Sequence, residues 1–244
     1  MGKSADSFLG PDSTCPDGLS VKLSSEKEAN DKIKIDLYYE SQCPGCKQMI
    51  TTSFADAMKA DGFLDMAELN FWPYGNAHES QTSSGWSFTC QHGTAECQYN
   101  YLETCAKNLV QCPVQYFNFL NCVEKLDSTT NYEGVANKCA TQAQITNLDD
   151  IMSCYKGTDA EALEHEVALK TEALSPPHKW VPWVTVDDVY DENVQDEIGD
   201  SLLNYVCNNY TGANKSKDCP PSGTVFAQAS KDVCIKRDPT AFLQ

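Results

Sequence analysis

At 244 residues the chain is long enough to bury a substantial core, as one large domain or as a domain carrying a large insertion. Its 18 Lys and Arg stand against 35 Asp and Glu, and the formal charge of -17 repels phosphate backbones and anionic lipid headgroups, which excludes nucleic-acid binding. No run approaches the roughly 18 apolar residues that span a bilayer, and the 13 cysteines point to an oxidising compartment rather than the cytosol. Thirteen is odd, so at least one thiol is left over within the chain. The acidic excess reads either as a solvated surface or as adaptation to an acidic lumen, and charge alone does not choose between them.

In chain order, residues 1–30 are polar and punctuated by Gly, Pro and Ser around a lone Cys15, and read as an extended lead-in. The start lacks the apolar core of about 7–15 residues that marks a signal peptide. With export implied by the cysteines, a mature chain is expected, its signal removed and a start Met added. Lys32 to Tyr39 alternates polar and apolar residues before turning apolar, as a strand with a buried face does, and it runs directly into Cys43-Pro44-Gly45-Cys46. Lys47 to Lys59 spaces Met49, Ile50, Phe54, Ala57 and Met58 as a helix, with Gly62 as its stop. A second strand is expected over about Met66 to Trp72, ending at Pro73.

From Cys90 to Leu174 helical periodicity and cysteines dominate. Thr158-Asp159-Ala160-Glu161 matches a capping box opening a helix to about Leu174, and Ser175-Pro176-Pro177 ends it. Trp180 to Tyr190 is strand-like, with a second short strand expected at its end; a last helix covers about Asp196 to Asn208, and the tail holds Cys219 and Cys234. The absence of an internal repeat excludes a solenoid. The fold class is therefore α/β: a discontinuous thioredoxin-like core (31–89 and 176–210), a cysteine-rich all-helical insertion (90–175), the lead-in, and a disulfide-tethered tail (211–244).

Cys43 and Cys46 sit where a strand gives way to a helix. There the first sulfur lies over unpaired amides and the positive end of the helix dipole, which favour thiolate. Pro44 suits the first helical position, having no amide hydrogen to leave unsatisfied. Cys43 is thus the expected nucleophile and Cys46, one turn in, the resolving thiol of disulfide exchange, with no metal or organic cofactor. An ordinary thiol, pKa about 8.5, is only about 0.03% thiolate at about pH 5, so activity in an acidic compartment requires a lowered pKa. Lys47 is either a nearby positive charge or a solvated helix lysine. Two other readings of the pair stay open, half of a zinc site and a purely structural disulfide. No second closely spaced pair completes the first, and so short a loop stabilises little in the second.

Val181-Pro182 is the expected cis-proline loop beside the reactive cysteine, where backbone pairs with a bound peptide; a proline starting an edge strand is the plainer alternative. Cys97, Cys105 and Cys112, if carried on one helix, fall within about a quarter of its circumference and staple it to neighbours, with Cys139 and Cys154 in the same role. Asn209-Tyr210-Thr211 and Asn214-Lys215-Ser216 are glycosylation sequons.

Cys90-Gln91-His92-Gly93, two residues, Glu96-Cys97, two residues, Asn100, four residues, Cys105 resembles the signature of the gamma-interferon-inducible lysosomal thiol reductase family in complete spacing. Pro73-Tyr74-Gly75-Asn76-Ala77, Pro176-Pro177-His178 and Val181-Pro182-Trp183-Val184-Thr185-Val186 are similar to family segments in family order, so the similarity runs from about residue 32 to Cys234. The resemblance implies a thioredoxin-like fold with a helical insertion, a secreted glycoprotein, and reduction of protein disulfides in acidic endosomes or lysosomes. Its active cysteines map onto Cys43 and Cys46, and an external small thiol supplies the electrons. The signature residues, His92 included, read as structural. Cys112 lies outside the signature, which leaves open its pairing, the identity of the leftover thiol, and a monomer or disulfide-linked dimer. Disulfide-bearing proteins are the expected partners, without membrane insertion. The competing functions are a disulfide oxidase or isomerase, and a secreted binding protein on the same scaffold.

Overall fold

The computed structural model describes residue 15 and residues 32–83, 85–127 and 130–236. The lead-in expected over residues 1–30, Cys15 apart, lies outside the described residues, as does the tail beyond 236.

The first strand, β1 (Ile33–Tyr39), is buried from Ile35 onward on both faces, which explains why its polar-apolar alternation gives way to a continuous apolar run. It leads into a helix that is α over α1 (Pro44–Met49), widens to a π turn over Ile50–Phe54 and returns to α at α2 (Ala55–Ala57). Gly62, at φ 72, turns the chain into the short α3 (Phe63–Met66), and β2 (Ala67–Pro73) then pairs parallel with β1, Ile33 opposite Ala67 and Tyr39 opposite Pro73. Two further strands, β3 (His78–Thr82) and β4 (Gly85–Thr89), form a hairpin absent from the expected element order. Its residues are mostly exposed, so it carries no apolar alternation to betray it; the Trp86 ring stacks on His165 at 3.7 Å between centroids.

Five helices follow: α4 (Thr94–Leu109), α5 (Pro113–Leu126), α6 (Tyr132–Gln142), α7 (Leu148–Lys156) and α8 (Asp159–Glu172). Disulfides tie α4 to α7 through Cys105–Cys154 and α5 to α6 through Cys122–Cys139. Two expectations are corrected here. Thr158 is already helical, at φ -73 and ψ -12, and makes no side-chain cap, because a capping hydroxyl needs the extended backbone of a true N-cap. Cys112 is not on the helix of Cys97 and Cys105, which ends at Leu109; it precedes Pro113 and bonds to Cys15.

The chain returns to the sheet through β5 (Trp180–Val181), β6 (Trp183–Val186) and β7 (Val189–Tyr190). Strand β6 pairs antiparallel with β1, and Asp187 and Asp188, both at positive φ, make the two-residue turn into β7. The sheet order is β2-β1-β6-β7. Asp191 caps α9 (Glu192–Asn209) by accepting from the Asn193 and Val194 amides, and Cys207–Cys219 ties the end of α9 to the tail. The tail closes with β8 (Cys234–Ile235), antiparallel to β5. One apolar core runs from the sheet into the helical block: Phe71 of β2 packs its ring against Phe54, Tyr116 and Phe117, all within 6 Å of it by centroid. Architecture is therefore mixed α/β with small sheets. Among the described residues no helix is long and apolar enough to cross a membrane.

Candidate redox site

Between the end of β1 and the start of α1, Glu40, Ser41 and Gln42 carry the chain into Cys43; Asn76 holds Glu40, and the helical block holds Ser41 and Gln42. Gln42 sits at φ 68, a left-handed conformation unusual for a side-chain-bearing residue. Asp127, beyond the end of α5, stabilises it by accepting from the Gln42 amide at 2.8 Å, while its backbone carbonyl accepts from Gln42 Nε2 at 2.9 Å. The Ser41 amide donates to Asn100 Oδ1 at 3.0 Å, and the Ser41 and Tyr39 hydroxyls donate to Glu103 Oε2. Lys47 pairs with the fully buried Asp127, so it is neither a free charge beside the thiol nor a solvated lysine. Burial pushes Glu103 up to about 8, and burial with the neighbouring Glu103 charge raises Glu124 well above the carboxylate range.

Cys43 stands at the N-cap with extended backbone and Pro44 opens the helix, as the motif predicts. Its sulfur is bonded to Cys234, not to Cys46, with the two Cα atoms 6.1 Å apart. Cys46 is the one free cysteine and is fully buried; burial above all, then charge on Glu40, pushes its thiol well up. Cys112, bonded to Cys15, is therefore not the leftover thiol, and no exposed thiol is present among the described residues to bridge two copies.

Cys234 arrives on β8, whose register sets Val181 opposite Cys234 and Trp180 opposite Ile235, extended by a hydrogen bond from the Lys236 amide to Lys179 O. The Val181–Pro182 peptide is cis, and Cys43 Sγ lies 3.7 Å from Val181 O. Gly45 has a steric reason: a Cβ there would stand 1.7 Å from Asp232 O, so only glycine lets the tail backbone lie over the helix start.

The signature segment lies against the same sulfurs. Cys90–Cys97 closes a loop that crosses onto the start of α4, with Gly93 at φ 87. Gln91 Nε2 donates to Ile235 O at 3.1 Å, and Asn76 Nδ2 donates to Cys234 O at 2.9 Å and Gln91 Oε1 at 2.7 Å, so two side chains grip the tail by its carbonyls. Glu96, fully buried, accepts from the His92 amide at 2.6 Å and pairs with His92 Nδ1 at 2.7 Å. His92 Nε2 lies 3.7 Å from Cys234 Sγ, and Glu40 Oε1 lies 3.6 Å from His92 Nδ1. Burial, then the charge of Glu96, pushes Glu40 up to about 9, against hydrogen bonds from Asn76. Donor atoms of Glu40, His92 and Glu96 lie within 4.8 Å of one another, close enough for a cation. Glu96 and one Glu40 oxygen, however, already accept from backbone amides, and the arrangement reads as an acid-base cluster.

The structure thus brings Cys43, Cys46, Val181, Pro182, Gln91, His92, Glu96 and Asn100 around one point. Cys105 stands apart, stapled to α7. Asn209 and Asn214 are exposed at and beyond the end of α9. Sequence reasoning missed Cys234, Glu40 and Asn76. The odd cysteine count was the available signal that one sulfur has a choice of partners.

The family model for gamma interferon inducible lysosomal thiol reductase matches residues 34–143. The chain is 34% identical over 181 residues to a gamma-interferon-inducible lysosomal thiol reductase of Carassius auratus, covering 74% of this chain and 69% of that one. It is 31% identical to the protein of the same name of Mus musculus, covering 84% and 77%, and 35% identical to a gamma-interferon-responsive lysosomal thiol protein of Arabidopsis thaliana, covering 74% and 72%. A Cys-x-x-Cys motif at a helix start, a signature loop folded against the Cys43–Cys234 disulfide, and relatives that span most of both chains agree: the chain belongs to the gamma-interferon-inducible lysosomal thiol reductase family.

Proposed function

We propose that this protein reduces protein disulfides by thiol-disulfide exchange at Cys43, on a thioredoxin-like core, in an acidic endosomal, lysosomal or secretory compartment. The observation that carries the reading is the state of Cys43. Its sulfur is joined to Cys234 on an extended strand paired with Val181, while Cys46 waits as a free thiol one turn along the helix. That is the arrangement of a mixed disulfide with a bound peptide, here supplied by the chain's own tail.

In the reaction the Cys43 thiolate attacks one sulfur of a substrate disulfide, and the other sulfur leaves as a thiol. Cys46 then attacks Cys43 Sγ, releasing the second substrate thiol and leaving Cys43–Cys46 oxidised, which an external small thiol reduces. No metal or organic cofactor takes part. The relatives' names speak of a lysosomal thiol reductase, and the buried carboxyls, raised to about 9 at Glu40 and about 8 at Glu103, suit a protein built for acid. The exposed Asn209 and Asn214 are the expected glycosylation sites.

The test is disulfide reduction at about pH 5, where ordinary thiols are almost wholly protonated, with a small-thiol donor. Cys43→Ser abolishes turnover, and Cys46→Ser, once Cys43–Cys234 has been opened by reduction, accumulates protein covalently joined to substrate. Undiminished turnover by Cys43→Ser would contradict the mechanism.

A further inference from the structure

The proposed exchange leaves one step without a partner: the sulfur that departs from Cys43 needs a proton. In the structure the departing sulfur has a stand-in. Cys234 reaches Cys43 on a strand held by backbone pairing to Trp180 and Val181, and by Gln91 and Asn76 side chains on the Ile235 and Cys234 carbonyls. These are contacts to backbone, available to any extended peptide whatever its side chains. A substrate cysteine joined to Cys43 in that register puts its sulfur where Cys234 Sγ is now, and one side-chain nitrogen faces that sulfur, His92 Nε2 at 3.7 Å.

The ring is aimed, not merely near. Nδ1 is pinned to Glu96 Oε2 at 2.7 Å, and Glu96 is in turn fixed by the backbone amides of Gln91 and His92, so the second nitrogen is left to point at the disulfide. The groups that face the ring are Glu40 from the end of β1, Glu96 from α4 and Cys234 from β8. Glu40 and Glu96 both stand on the Nδ1 side of the ring, at 3.6 and 2.7 Å, which leaves Nε2 facing sulfur. Imidazole also changes its charge in mildly acidic solution, where this chemistry is placed.

We propose that His92 is a catalytic residue, the general acid that protonates the sulfur leaving Cys43, and that Glu96 is the positioning residue that aims it. When Cys46 attacks Cys43 Sγ, its thiol proton passing finally to solvent, the new Cys43–Cys46 bond forms as the bond from Cys43 to the substrate sulfur breaks. The electron pair of the broken bond stays on the substrate sulfur, and the proton passes to it from His92 Nε2. The inference rests on Cys43 being the exchange nucleophile.

The experiment compares His92→Gln with the unaltered protein on two substrates at about pH 5: a peptide disulfide, whose leaving alkyl thiolate is basic, and an aromatic disulfide, whose leaving thiolate is stable without a proton. Loss of a general acid costs about a hundredfold in kcat/KM on the peptide disulfide and leaves the aromatic one essentially unchanged. Glu96→Gln, removing the charge behind the ring, moves the alkaline limb of the peptide profile to lower pH. Equal loss on both substrates would mean a structural role, no loss on the peptide would mean no role, and either result overturns the proposal. Cys43→Ser separates this from the parent reading: if it retains turnover of both substrates, exchange at Cys43 itself is wrong, whatever His92 does.

Discussion

Two regions close around Cys43, and they hold it in opposite ways. The helical block reaches the motif from beneath, through Asn100, Glu103 and Asp127, with groups fully buried and helices stapled to one another by Cys105–Cys154 and Cys122–Cys139. The tail reaches it from above, largely exposed, through a two-residue strand, two side-chain grips and one disulfide that has a free thiol, Cys46, beside it. A disulfide opens by attack of a thiolate, so a bond next to a free thiol is exchangeable while one sealed in a core without such a neighbour is permanent. The block is thus a frame and the tail an occupant.

The sharpest way to separate the two is by thiol reactivity. In Cys46→Ser every remaining cysteine is paired and the native protein takes up no alkylating reagent. In Cys46→Ser with Cys234→Ser, Cys43 alone is unpaired and is modified fully, read by mass mapping. Next in size, breaking the frame by Cys105→Ala with Cys154→Ala lowers unfolding free energy by about 2–5 kcal/mol, measured in urea. Smaller again, Asp127→Ala strands the Gln42 amide and the Lys47 ammonium, lowering stability by about 1–3 kcal/mol and slowing turnover, because the left-handed Gln42 loses its support.

A separate effect is on pH dependence. Glu103 and Glu40 are held protonated in the fold, with pKa raised to about 8 and about 9 from 4.5. Unfolding therefore releases protons once pH exceeds 4.5. The stability they contribute is full below that value and is lost as pH rises towards about 8 and 9. The melting temperature should fall from pH 5 to pH 8, and Glu103→Gln should flatten that slope. A melting temperature that rises over the range would contradict the assignment.

What could be read from sequence followed from local pattern. Lys32 to Tyr39 running into Cys43-Pro44-Gly45-Cys46 announces a strand feeding a helix because both periodicities and the Pro at the helix start lie within a few residues. The helical run after Cys90 is legible for the same reason. The β3–β4 hairpin was not, since strands that are exposed on most of their residues need no apolar alternation. Neither was the partner of Cys43, because disulfide connectivity is a property of space and not of spacing. His92, Glu96 and Asn100 read as structural while they were only a motif; the chemical roles proposed for His92 and Glu96 come from the fold, which lays the loop against the end of β1 and the tail. Asn100 does act structurally, through Ser41.

The contrast between frame and occupant is tested most directly by titrating the oxidised protein with a small thiol at about pH 5 and mapping linked peptides after acid quenching. The account predicts that Cys43–Cys234 opens first, with Cys105–Cys154 and Cys122–Cys139 still closed. Opening of Cys43–Cys234 no earlier than those two, or its absence from the oxidised protein, would contradict it.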